Sequence, residues 1–123
     1  MDPQVFLTFF RSHLGQEVLA AGEGLHREFK FSLLEPAEKY WPGLEPGETV
    51  LLQGVVDCFF DTPDGLVVVD FKSDRVTDDT VAGRSEEYRP QLEAYAQALS
   101  TLLERPVARK VLWFFALGRA VEL

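Results

Sequence analysis

A chain of 123 residues has room for one hydrophobic core, and its 46% hydrophobic content is ordinary for a globular domain. A single cysteine, Cys58, excludes an internal disulfide framework and a metal centre built from several thiolates, which leaves it as a small core hydrophobe. The formal net charge of -8 argues against strong unaided binding to nucleic acid, because affinity for DNA comes largely from cations that displace counterions from the phosphates.

The longest uninterrupted apolar run, residues 111–117, is far too short to cross a bilayer and has the length of a buried strand. Met1-Asp2-Pro3 lacks the basic start of a signal peptide. These features predict a soluble, cytoplasmic, single-domain protein with no membrane partner.

In chain order, Asp2 can cap a helix with Pro3 in its first turn, and Phe6, Phe10, Leu14 and Val18 recur at helical spacing until Gly22, which predicts one amphipathic helix. Residues 25–34 read as a half-exposed strand, with Phe29, Phe31 and Leu33 on one face and Glu28 and Lys30 on the other. Pro36, Pro42-Gly43 and Pro46-Gly47 break residues 35–48 into a surface loop that Tyr40 and Trp41 are expected to pin to the core. Two apolar runs, 49–61 and 66–72, flank Thr62-Pro63-Asp64-Gly65 and form a hairpin. Both of its faces are apolar, Val56, Cys58 and Phe60 on one and Val55 and Phe59 on the other, so the sheet should be covered on both sides. Residues 73–84 are polar and turn-rich, a loop. A helix starting near Ser85 then carries Tyr88, Leu92, Tyr95, Leu99 and Leu102 or Leu103 on one broad face, with Pro106 beyond its end. Residues 109–117 make the last major strand, and residues 120–123 an edge strand. The predicted class is α/β, a mixed sheet flanked by helices in the order α-β-β-β-α-β.

If residues 62–65 form the hairpin loop, paired residue numbers sum to 127 and Asp57 faces Asp70. Opposed side chains on a hairpin share a face with Cβ atoms ~5 Å apart, so two carboxylates would meet inside an apolar sheet. Like charges so placed call for a cation, and a hard divalent ion, magnesium or manganese, suits two carboxylates with a nearby main-chain carbonyl, which Phe71 can supply. Lys72 lies two residues beyond Asp70 on the same face. Such an acid-acid-cation set can hold a metal on Asp57 and Asp70 while the lysine steadies charge developing on a phosphate. The competing reading is a structural ion pair of Asp70 and Lys72 at the sheet's end, a poor way to fill a core with charge.

Gln91 and Tyr95, four residues apart, share a helix face and place an amide and a phenol beside an apolar surface, which suits support of the site or contact with a strand. Arg75, Arg84 and Arg89 cluster near the same loop and helix start, diluted by Asp74, Asp78, Asp79, Glu86 and Glu87.

Gly54-Val55-Val56-Asp57, Val69-Asp70-Phe71-Lys72-Ser73-Asp74 and Gln91-Leu92-Glu93-Ala94-Tyr95 resemble, in order, the motifs of the RecB-like branch of the PD-(D/E)XK nucleases, and His26-Arg27-Glu28-Phe29-Lys30-Phe31 resembles the strand before them. The likeness runs from Phe9 to the C-terminus and is nearest to the C-terminal nuclease domain of AddA-type ATP-dependent helicase/nuclease subunits. It implies a restriction-endonuclease-like core, metal ligation by Asp57 and Asp70, a catalytic Lys72, and Gln91 and Tyr95 shaping the site or guiding the strand. It further implies exonucleolytic hydrolysis of single-stranded DNA delivered by the helicase portion of the same polypeptide, which is partnered in double-strand-break repair by a second helicase-nuclease subunit. Proline of the family's name is Val56 here. These nucleases usually carry a metal-ligating histidine in an upstream Gly-x-x-x-His helix, a context that neither His13 nor His26 provides, so the likeness implies the last part of such a domain. The alternatives are an inactive docking or DNA-sensing domain of the same fold and a stand-alone nuclease acting on junctions or RNA.

Overall fold

The computed structural model describes residues 3–39, 41–43 and 45–123. Five strands, β1 (His26–Pro36), β2 (Thr49–Thr62), β3 (Gly65–Lys72), β4 (Val107–Phe114) and β5 (Arg119–Glu122), form one sheet in sequence order. Neighbours run antiparallel except β3 and β4, which are parallel. A parallel pair needs a long crossover, and helix α3 (Val81–Leu103) supplies it. The mixed sheet with flanking helices is therefore as predicted, including the short edge strand at the C-terminus.

The β2-β3 register agrees with the arithmetic of the turn: Asp61 pairs with Leu66 and Cys58 with Val69. The ladder extends one step further, to Thr62 and Gly65, leaving Pro63-Asp64 as a two-residue loop. Thr62 locks it, its hydroxyl donating to the Gly65 carbonyl (2.7 Å) and accepting from the Asp64 N–H (3.2 Å). Gly65 has a φ of 131°, and a Cβ there would lie 2.6 Å from the Pro106 carbonyl oxygen, so only glycine fits.

Both faces of the sheet are covered. Leu66 and Val68 join Leu92 and Leu99 of α3 on one side; Val67 and Val69 join Phe9, Leu14 and Val18 of the N-terminal helices on the other. Three consecutive valines at zero exposure each contribute roughly 1.5–3 kcal/mol of burial. They make β3 the spine that presents Asp70 and Lys72.

Several expectations are corrected. The N-terminal helix is two, α1 (Pro3–Arg11) and α2 (His13–Ala21), because Ser12 caps the second: its hydroxyl accepts from the Gly15 N–H (3.0 Å) and donates to the Phe9 carbonyl (2.5 Å). The break rotates the first helix, so Phe9 is buried while Phe6 and Phe10 stay 46% and 40% exposed. The corner depends on Gly15, where a Cβ would sit 1.9 Å from the Phe9 carbonyl oxygen. Gly15→Ala is expected to destabilise the chain by about 1–3 kcal/mol, read from urea unfolding; an unchanged midpoint would mean that the corner opens without loss. The expected cap at Asp2 and the role of Tyr40 lie outside the described residues. Trp41, expected to pin the loop to the core, is 54% exposed. Helix α3 begins at Val81, inside the stretch expected to be loop, because Val76 and Val81 find burial against the sheet. At its other end Leu102 and Leu103 are exposed rather than packed. A 23-residue helix spans roughly 35 Å and an eight-residue strand roughly 26 Å, so the last turn outruns the sheet. Among the described residues no helix is long and apolar enough to cross a membrane, which says nothing about β-barrels.

Candidate active site

The site forms where the side-chain alternation of two strands breaks at one level. In β2, Leu52, Gly54 and Val56 face α3, and Cys58 and Phe60, which strict alternation would put on the same side, face α1 and α2. In β1, Phe29 and Phe31 face α3 while Arg27 lines a pocket with Phe9 and Cys58 on the opposite side. The pairing of Arg27 with Cys58 and of Phe29 with Val56 keeps one register across the break, which puts Glu28 and Asp57 opposite each other at a level the ladder omits. Glu28 adopts a left-handed φ of 50° there, costly for a residue with a Cβ. This corrects the expected grouping of Val56 with Cys58 and Phe60.

The β2-β3 ladder ends at Cys58 and Val69, and the Asp57 carboxylate takes over where the strands separate: the Phe71 N–H donates to Asp57 Oδ2 at 2.7 Å. A strand residue points its N–H and carbonyl to the same edge, so the Phe71 carbonyl also faces this gap. Asp70 is only 4% exposed and interacts directly with Asp57. Burial and the Asp57 carboxyl push the Asp70 carboxyl up to about 6, against the opposing pull of Lys72. Lys72 Nζ lies 2.6 Å from Asp70 Oδ2, an ion-pair contact that is the buried oxygen's closest compensation for its charge.

Lys72 donates to Gln91 Oε1 at 2.9 Å, and Gln91 Nε2 donates to the Tyr95 hydroxyl at 3.0 Å. The strand end and the helix face that stand apart in the sequence thus form one chain of contacts, Asp70 to Lys72 to Gln91 to Tyr95. Burial, and then the Asp70 charge, raise the Tyr95 phenol, keeping it a neutral hydrogen-bonding group. Gly54 lets Tyr95 approach, for a Cβ there would meet its ring at 2.9 Å.

The surrounding arginines are more neutralised than their sequence clustering suggests. Arg84 pairs with Glu87 (3.0 Å) and Asp74 (3.5 Å), and Arg89 makes a two-pronged bond to Glu86, both at 2.8 Å. Cys58 is inert by the same burial that makes it core: burial, and then the charges of Asp57 and Asp70, push its thiol up to about 12.

The donor set fits a hard divalent cation: two adjoining carboxylates, of which Asp70 is buried and its charge made costlier by Asp57, and a main-chain carbonyl facing the same gap. Among the described residues, no group of three or more acid, thiol or imidazole side chains could hold a metal ion, so neither histidine completes the set. His13 instead pairs with Glu17 (3.4 Å), and the His26 ring stacks on Phe59 (4.7 Å between centroids). Two residues gain significance only from the structure. Glu28, by pattern an exposed strand charge, lines a cleft of about 810 Å³ with Phe6, Arg27, Asp57 and Phe71. Tyr88, by pattern part of the helix's apolar face, has its ring centroid 3.9 Å from Lys72 Nζ.

Comparison with known proteins gives the family. Residues 5–122 match the PD-(D/E)XK nuclease superfamily. The chain is 39% identical over 121 residues to an ATP-dependent helicase/nuclease subunit from Pediococcus pentosaceus, covering 95% of this chain and 10% of that one. It is 40% identical over 122 residues to the protein of the same name from Desulforudis audaxviator, covering 98% and 10%. It thus spans about a tenth of the length of these curated relatives. The crystal structure of SSO0001 superposes with a TM-score of 0.53 at 19% identity, over 99% of this chain and 51% of that one, a likeness of fold.

Proposed function

Because the chain belongs to the PD-(D/E)XK nuclease superfamily, we propose that it hydrolyses DNA phosphodiesters in a reaction dependent on magnesium or manganese, with Asp57, Asp70 and Lys72 as its working groups. The observation that carries this reading is Lys72, whose ammonium is held between Asp70 (2.6 Å) and Gln91 (2.9 Å) beside the Asp57 carboxylate.

In the reaction, water adds to phosphorus, the bond to the leaving oxygen breaks, and a phosphate monoester and an alcohol result. Asp57, Asp70 and the Phe71 carbonyl would hold the cation, which when bound supplies charge neutralisation and acidifies water. Asp57 is itself fixed by the Phe71 N–H, so the carboxylate is oriented before any ligand arrives. Lys72 faces the negative charge that grows on the phosphoryl oxygens. Gln91 sets the direction of the lysine, and Tyr95 sets the direction of Gln91.

The net charge of -8 and the paired arginines make capture of a polyanion by this chain alone weak. The chain therefore acts as the nuclease domain of a longer helicase-bearing polypeptide, exonucleolytically on a single strand that the motor delivers, together with a second helicase-nuclease subunit in double-strand-break repair. The length of the relatives it matches supports this.

The proposed cation site is tested by calorimetric titration of the chain with manganese. Wild type is expected to bind one ion, and Asp70→Ala to lower the affinity at least roughly tenfold, the loss of one charged ligand. Equal affinity in the two proteins would remove the site.

A further inference from the structure

Lysine has a flexible four-carbon stem and a compact ammonium with three donors. For Lys72 to act at one point, something besides its own rotamer preference must hold that ammonium. Asp70 and Gln91 account for two sides of it. The third is the face of Tyr88, with the ring centroid 3.9 Å from Nζ, and the lysine side chain is only 13% exposed. The ring is itself fastened. Its hydroxyl donates to Asp74 Oδ2 at 2.6 Å, Arg84 reaches the same carboxylate at 3.5 Å, and the Phe114 ring lies 6.5 Å away, centroid to centroid. The Asp74 bond, with burial and the Asp74 charge, pushes the phenol up to about 12, so the ring stays neutral and electron-rich.

A ring face differs from a third carboxylate in one useful respect. It attracts the cation without adding to the neutralisation that Asp70 already provides, so more of the ammonium charge remains to act on a phosphate. Tyr88 lies one helical turn before Gln91, so the two contacts on Lys72 come from one helix face, on either side of Pro90.

We propose that Tyr88 is a positioning residue for Lys72, its ring tethered through the hydroxyl to Asp74 and holding the ammonium in line with the Asp57-Asp70 gap. The assignment rests on the reading of Lys72 as the charge-stabilising group. Its geometry is testable without that reading.

The test is NMR of the 123-residue chain labelled at lysine. The ε-methylene protons of Lys72 should appear upfield of those of Lys30, Lys39 and Lys110, through the ring current of Tyr88. Tyr88→Phe, which keeps the ring but loses its tether to Asp74, should retain part of that shift, and Tyr88→Leu should abolish it. In cleavage of single-stranded DNA, Tyr88→Leu should lower kcat roughly tenfold with KM little changed, and Tyr88→Phe should restore part of the rate. An unshifted Lys72 signal in wild type would overturn the proposal even if the leucine variant failed to fold. So would equal loss of rate in the phenylalanine and leucine variants. If Lys72→Ala cleaves as well as wild type, the functional reading fails while the ring-current result stands.

Discussion

Lys72→Ala is expected to lower cleavage of single-stranded DNA by roughly 10²–10³-fold while leaving manganese affinity unchanged or somewhat higher. The two halves of this expectation come from one contact. Lys72 Nζ sits 2.6 Å from Asp70 Oδ2, where it competes with any cation for the same oxygen. Removing it frees that oxygen for metal and at the same time withdraws the positive charge facing the phosphate. Lys72→Arg should not restore the rate, because a planar fork cannot replace a point charge seated between a carboxylate, an amide oxygen and a ring face. Single-turnover cleavage and a manganese titration on the same three proteins measure both halves. If, within the helicase-bearing polypeptide, wild type and Lys72→Ala are equally inactive though both bind metal, the domain is an inactive docking or DNA-sensing module. If affinity and cleavage fall together, Lys72 supports the metal site and has no separate role.

In the presence of a chelator, Asp70→Asn is expected to stabilise the chain by about 1–3 kcal/mol at pH 7.5, and by next to nothing near pH 4. The Asp70 carboxyl is pushed from the ordinary 3.8 up to about 6 by burial and by Asp57, only partly offset by Lys72. Between those values the folded chain holds a proton that the unfolded chain has released. Wild-type stability therefore falls as pH rises from about 4 to about 6, and the deficit persists above. Asparagine resembles the protonated acid and escapes that deficit. Manganese should reverse the ranking, since an ion that binds only the folded wild type stabilises it by mass action while the variant has lost a ligand. Urea unfolding at several pH values, with chelator and then with manganese, gives the full comparison. A variant less stable than wild type at pH 7.5 without metal would mean that the Asp70-Lys72 contact outweighs carboxylate repulsion.

Much of this molecule is legible from its residues because the relevant forces are local. Thr62-Pro63-Asp64-Gly65 demands a tight turn, the turn sets the β2-β3 register, and the register carries the pairing to Cys58 and Val69, the residues next to Asp57 and Asp70, without any knowledge of the rest of the fold. The valines of β3, apolar on both faces, announce a sheet covered on both sides. The spacing of Gln91 and Tyr95 puts them on one helix face, and they do bond to each other. The division of the first helix escapes a reading by period because Ser12 and Gly15 act on the Phe9 carbonyl, a close approach that periodicity does not register. The true start of α3 is masked by polar residues around Val76 and Val81, two side chains that only the sheet can bury. The break at Glu28 and Asp57 takes two strands at once: each interrupts its own alternation so that pairing can continue on both sides of the gap, and neither sequence alone requires it. Lys72 reaches Gln91 and the face of Tyr88 because the crossover of α3 carries a segment 16 to 19 residues away back over the end of β3. Turn chemistry and period are written into neighbouring residues; the environment of a charge depends on which distant elements exclude water from it, and packing alone decides that.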